Sequence, residues 1–260
     1  MKLIDILGNH YSFDPVINTL IAIIRDIENL SVVVKKYFIF LNLYRNTKNS
    51  SIRTLIITNL EFLFSTIRSF YNLLQKLIRD LWKRTAKKEL PERFFLMIKQ
   101  ERSDLKRKYD LPEALIDYHA DTKDFFLTCR DIRNRIIHRG FDIEIVFCIE
   151  EGFALQKDEP LFPSLITTKF DIWPDEKVKE NGLVSVLALI SHLNLEILKN
   201  IDLFVKSIIK SIPPPHRITT SHKLFLRGPY TSHLLKLGEY LKLQWIKTSD
   251  ALSKYSINCQ

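Results

Sequence analysis

A chain of 260 residues has the length for one large domain or two small ones, and 46% hydrophobic with 27% charged residues is an ordinary soluble composition. A net charge of +9 and a pI near 9.3 favour a polyanionic partner. Six glycines, with neither G-x-x-x-x-G-K-S/T nor G-x-G-x-x-G among them, exclude the glycine-loop nucleotide folds.

From the N-terminus, Asp14-Pro15 reads as a helix cap followed by proline at the first helical position. Leu20, Ile24, Ile27, Val34, Phe38 and Leu41 carry the stripe on, with Ser31 as a polar break, and residues 45–51 form a polar connector. Ile56, Leu60, Leu63, Ile67, Phe70, Leu74, Leu77 and Leu81 then alternate spacings of four and three. That heptad seam predicts a long helix in a bundle or a dimer interface. Residues 83–90 read as a basic loop. Pro91 is expected to open a third helix through about Tyr109, and Leu111-Pro112 to break it. Pro112 begins a fourth helix.

After that helix the period changes to two. Phe141, Ile143, Ile145, Phe147 and Ile149 alternate with Asp142, Glu144, Val146, Cys148 and Glu150, which predicts a half-buried strand. Glu151-Gly152 reads as a turn. Phe153–Gln156 and Ile166–Ile172 would complete a small antiparallel sheet. Helical periodicity returns over Leu183–Ile212 and stops at Pro213-Pro214-Pro215, read as a stiff linker. The expected fold is mostly α, a multi-helix bundle with a small antiparallel β-hairpin insert after the fourth helix. Residues 1–212 form the helical domain, with the insert at about 141–172. Residues 213–260 form a basic C-terminal extension, in which Ser232 caps a short amphipathic helix.

The chemistry concentrates near the end of the fourth helix, in Arg133-Asn134-Arg135-Ile136-Ile137-His138, followed by Arg139-Gly140. With Ile132 at zero and ~100° per residue, Phe125, Cys129, Ile132 and Ile136 share one narrow arc. Arg133 falls at about 100°, between Ile136 and Ile137, while Asn134 and His138 fall at about 200° and 240° on a polar strip. An arginine in an apolar stripe needs an anionic or polar partner, because an unpaired buried charge costs several kcal/mol. Dipole stabilisation of cations in a last helical turn, ahead of Gly140, is the plain structural account of His138 and Arg139.

Arg-Asn-x-x-x-His near the end of a long helix in a helical domain resembles the HEPN superfamily. Residues 52–212 carry the resemblance, and the motif itself is six residues. It implies a metal-independent endoribonuclease whose site is completed by dimerisation. His138 would transfer protons, Arg133 would stabilise the phosphorane, and Asn134 would orient the imidazole. Arg130 and Arg139 would contact flanking phosphates. The implied partners are RNA and a second copy of the chain, with a toxin or defence role and an antitoxin-like protein by family analogy. The alternatives are a non-catalytic module that binds nucleic acid or protein, and a structural helical dimer. In the latter, Arg133 would be paired with an internal carboxylate.

Other constellations are weaker. Asp117, Asp121 and Asp124 share a helix face with His119 close by, yet no Glu-x-x-His helix exists to complete a di-metal site. Neither metal nor cofactor is expected. Cys129, Cys148 and Cys259 are widely spaced and form no C-x-x-C pair. A reducing cytoplasm, no secretory leader and no membrane span follow as expectations. Residues 76–108 hold twelve Lys/Arg against five Asp/Glu, a candidate polyanion-facing surface.

Overall fold

The computed structural model describes residues 14–139, 146–157, 166–212 and 232–246. The fold is mostly helical with a small three-stranded antiparallel sheet. In chain order the elements are α1 (Asp14–Thr47), α2 (Ile52–Ala86), α3 (Phe94–Ile98), α4 (Arg102–Tyr109) and α5 (Glu113–Arg139). Then come β1 (Phe147–Ile149), β2 (Gly152–Gln156), β3 (Leu183–Ser185), α6 (Val186–Ser211), α7 (Ser232–Leu235) and α8 (Leu237–Leu243). Among the described residues no helix is long and apolar enough to cross a membrane.

The chain divides into two compact units. The first takes its described residues from 14–29, 66–130 and 197–212. Its core is aromatic. Tyr71 lies 4.9 Å from Phe94 and 5.2 Å from Phe126, ring centre to ring centre, and Tyr118 lies 5.5 Å from Phe204. Two buried polar pairings lie inside it: Asn200 Nδ2 donates to Tyr71 Oη at 2.6 Å, and Trp82 Nε1 donates to the Tyr109 carbonyl at 3.0 Å.

The expected single helix from Pro91 to Tyr109 is two helices, α3 and α4. Between Ile98 and Leu105 there is no apolar residue, so no stripe carries helix α3 forward. Asp110 ends α4 with φ 56°, and its N–H turns back onto the Leu105 and Lys106 carbonyls before Pro112.

The second unit takes its described residues from 30–65, 131–139, 146–157, 166–196 and 232–246. The sheet order is β1-β2-β3. Phe147 pairs with Ala154 and Ile149 with Gly152; Ala154 pairs with Ser185 and Gln156 with Leu183. Three readings need correction here. Ile166–Ile172 is turn and irregular chain rather than a strand. The third strand is instead Leu183–Ser185, running directly into α6, where the helix itself was expected to begin. At the start of β1 the burial also runs against the expected alternation: Val146, just ahead of the strand, is 2% exposed while Phe147 is 37% exposed. Phe141, Ile143 and Ile145 of the expected strand, and the linker Pro213–Pro215, lie outside the described residues.

Long-range hydrogen bonds lock this sheet. Tyr37 Oη accepts from the Phe153 N–H at 3.3 Å, and Trp173 Nε1 donates to the Ser185 carbonyl at 2.9 Å. Gly152 passes so close that a Cβ there would lie 2.5 Å from Tyr37 Oη. The segment after α8 closes the unit. Ser185 Oγ donates to the Gln244 carbonyl, and Trp245 Nε1 donates to the Lys177 carbonyl at 2.9 Å. Arg45 donates from Nε to the Glu150 carbonyl at 2.9 Å and from Nη2 to the Ile246 carbonyl at 2.8 Å, joining α1 to both.

Candidate functional site

The motif lies on the last turns of a continuous 27-residue helix, so positions 133, 134 and 138 keep helical spacing. Phe126, Cys129 and Ile132 are each 1% exposed, whereas Phe125 and Ile136 are only half-buried. Leu115, Tyr118, His119 and Thr122 complete the buried face. On the ~100° wheel that face centres near 80–100°, which is the direction of Arg133. The stripe read from the sequence was displaced toward Phe125 and Ile136. Arg133 therefore occupies the core-facing position of this helix at its end, and is itself half-buried.

Arg133 Nη1 donates to Asn134 Oδ1 at 3.4 Å, at the long limit for a hydrogen bond. Asn134 thus reaches the guanidinium through its Oδ1. Arg135 pairs with Asp131 at 3.3 Å along the helix surface. The side chains of His138 and Arg139 lie outside the described residues. In the first unit, the Arg130 guanidinium carbon lies 3.6 Å from the centre of the Phe95 ring, close enough for cation–π attraction.

Burial tunes the titratable groups of α5. It pushes the Cys129 thiol and the Tyr118 hydroxyl well up, so both stay protonated and unreactive at neutral pH. His119 is 1% exposed, and burial pushes its pKa down to about 4, against a raising contribution from the Leu115 carbonyl. Its Nδ1 is 2.7 Å from that carbonyl and its Nε2 is 2.9 Å from Gln75 Oε1. Gln75 Nε2 in turn donates to the Pro91 carbonyl at 2.8 Å. The sequence grouped His119 with Asp117, Asp121 and Asp124, but all three carboxylates are exposed. Spacing of four from Leu115 and seven to Phe126 was the signal that places His119 on the core face instead.

Among the described residues, no group of three or more His, Cys, Asp or Glu side chains is arranged to hold a metal ion. Asp117 is bound at 2.7 Å by Arg102, which also holds Glu113. Six of the twelve cations in the run 76–108, Arg102 included, are paired with carboxylates. Arg79 pairs with Asp80 and Glu92, Lys83 with Glu89, Lys88 with Asp110, Lys106 with Glu113, and Arg107 with Asp104. Exposed pairs of this kind are weak, so they neutralise the surface locally without fixing it. Comparison of the chain with protein-family models, with curated proteins and with solved structures finds no match.

Proposed function

We propose that the chain is a HEPN-like, metal-independent endoribonuclease that works as a homodimer, with Arg133, Asn134 and His138 as its catalytic residues. The observation that carries this reading is the position of Arg133: a guanidinium on the core face of the α5 terminus, touching Asn134, with His138 one turn beyond. A planar guanidinium held by an amide is oriented for a phosphorane oxygen. The imidazole of His138, five residues on, supplies a proton acceptor and donor for the attacking 2′-OH and the leaving 5′-oxygen. Cleavage would pass through the 2′,3′-cyclic phosphate, with one proton taken from the 2′-OH and one returned to the leaving oxygen. RNA is the substrate, and a toxin or defence role remains analogy with the family the motif resembles.

The test is RNA cleavage by the purified chain in EDTA. His138→Ala and Arg133→Ala are expected to abolish cleavage while circular dichroism stays unchanged. An alanine variant that cuts as well as the parent overturns the assignment, and so does cleavage that requires a divalent ion.

A second reading is a non-catalytic protein-binding module. The internal pairing of the basic run and the apolar surface on the α1–α2 hairpin favour it.

A further inference from the structure

Within the second unit, the segment from Ser232 to Ile246 packs on the sheet at one end and on α1 at the other. Hydrogen bonds fix the sheet end: Ser185 Oγ to the Gln244 carbonyl, Gln244 Nε2 to the Ile172 carbonyl at 3.3 Å, and the Ile246 N–H to the Glu151 carbonyl at 3.0 Å. Rings hold the α1 end. His233 is 5% exposed, and its imidazole stacks on Phe38 of α1 with ring centres 5.6 Å apart and planes 19° from parallel. Tyr240 of α8 lies 5.0 Å from the same Phe38 ring, and its Oη is 3.3 Å from His233 Nδ1.

His233 Nε2 is buried and has no hydrogen-bond partner. Protonation would put an N–H on both ring nitrogens. One can meet the Tyr240 oxygen; the other would point into packed side chains with no acceptor. The new charge would also lack a counter-ion, since among the described residues no carboxylate pairs with His233. The groups around it are cationic or neutral. Lys35 precedes Phe38 by three residues and so lies one turn away along the same side of α1. Lys236 follows in a turn closed by its own N–H on the His233 carbonyl at 3.2 Å. Tyr37, beside Phe38, turns its hydroxyl to the Phe153 N–H. Lys36 on α1 and Glu239 and Lys242 on α8 are exposed. Burial, and then the charges of Lys236 and Lys35, hold the imidazole pKa below its ordinary 6.5.

We infer that His233 is a pH-sensitive latch: the neutral ring holds α7 and α8 on α1, and the protonated ring releases them. The inference stands independently of the ribonuclease reading. Once released, the imidazole regains water and titrates as an exposed histidine does. The docked state therefore binds fewer protons than the released one. Docking is complete above about pH 6.5 and weakens as pH falls below it. One proton is linked, so the equilibrium moves by at most about tenfold per pH unit. Phe38, Leu237 and Tyr240, all buried in the docked state, come to the surface in acid.

The experiment measures amide hydrogen exchange of the full chain at about pH 7.5 and about pH 5.5, as protection relative to the intrinsic rate at each pH. Amides of Leu237–Leu243 are expected to lose at least about threefold in protection at the lower pH, while those of β2 keep theirs. His233→Phe retains the stack without the titration, and should make protection over Leu237–Leu243 equal at both pH values. Lys35→Glu supplies a carboxylate and should shrink the difference. Circular dichroism verifies that both variants fold. Ring-proton chemical shifts of His233 need no substitution, and their titration in the parent chain is expected to fall below the ordinary histidine value. The inference is overturned if protection over Leu237–Leu243 does not change with pH, or if the change persists in His233→Phe. It is also overturned if β2 loses protection in step, which is unfolding of the whole unit, or if His233 titrates at or above the ordinary value in the folded chain.

Discussion

A neutral imidazole has one proton to give. In His119 the proton goes to Nδ1, because its neighbour there is the Leu115 carbonyl, an acceptor only. Nε2 then needs a donor, which the Gln75 amide supplies only by turning its nitrogen away from Pro91. Gaining a second proton would restore both donations, but burial holds the ring pKa near 4. The folded state therefore binds fewer protons than the unfolded chain, in which the ring titrates near 6.5. This group's stabilisation is complete above about pH 6.5 and is lost as pH falls toward 4, a loss of about 3 kcal/mol. Denaturant midpoints at pH 7 and pH 4 measure it, and His119→Leu is expected to shrink the difference between them. An equal acid sensitivity in that variant would assign the effect to other groups. Arg133 sets the second residue-scale expectation. Arg133→Lys keeps the charge but not the planar fork, and under the proposed reading should lose most of the cleavage that Arg133→Ala is expected to abolish.

At the scale of elements, the sheet is where packing leaves least room. Gly152→Ala puts a methyl 2.5 Å from Tyr37 Oη at a φ of +155°, and is expected to cost about 1–3 kcal/mol. Pairing it with Tyr37→Phe should recover part of that loss in a thermal melt, since the phenol oxygen is the clashing atom. No recovery would place the strain in the backbone instead. The α2 seam was legible because one residue in each step of three or four meets the core: from Ile56 to Leu81 all eight positions are 2% exposed or less. β1 was misread because period two gives two interleaved faces, and side-chain size does not say which is buried. Phe147 is larger than Val146, yet Val146 is inside. Leu183–Ser185 was absorbed into the following helix for a related reason. Three apolar or small residues ahead of a helical stripe carry no period of their own, and only pairing with Leu155 and its neighbours makes them a strand. The Arg133–Asn134 contact was partly readable, since adjacent residues on a helix end are always close. The contacts of His119 were not, because Gln75 is 44 positions away.

For the whole molecule, the ribonuclease reading requires two chains, because Arg133 and His138 diverge by ~140° around one helix and a second copy would close a shared cleft over them. Light scattering of the purified chain is expected to give a two-fold mass. A monomer at every concentration that nevertheless cleaves RNA would place the whole site within one chain.

Arg45 spans 105 positions to the Glu150 carbonyl and 201 to that of Ile246. Such distances fix an order of events during synthesis. A chain emerging from the ribosome carries Arg45 early, and α1 can coil at once, since its bonds are local. The β1–β2 turn cannot be held until about a hundred more residues follow, and the strap at Gln244–Ile246 arrives last. Until then the Ser185 hydroxyl proton and the Arg45 Nη2 group have water for acceptors, and the sheet has no lock on that side. The second unit thus matures only once residue 246 has cleared the ribosome.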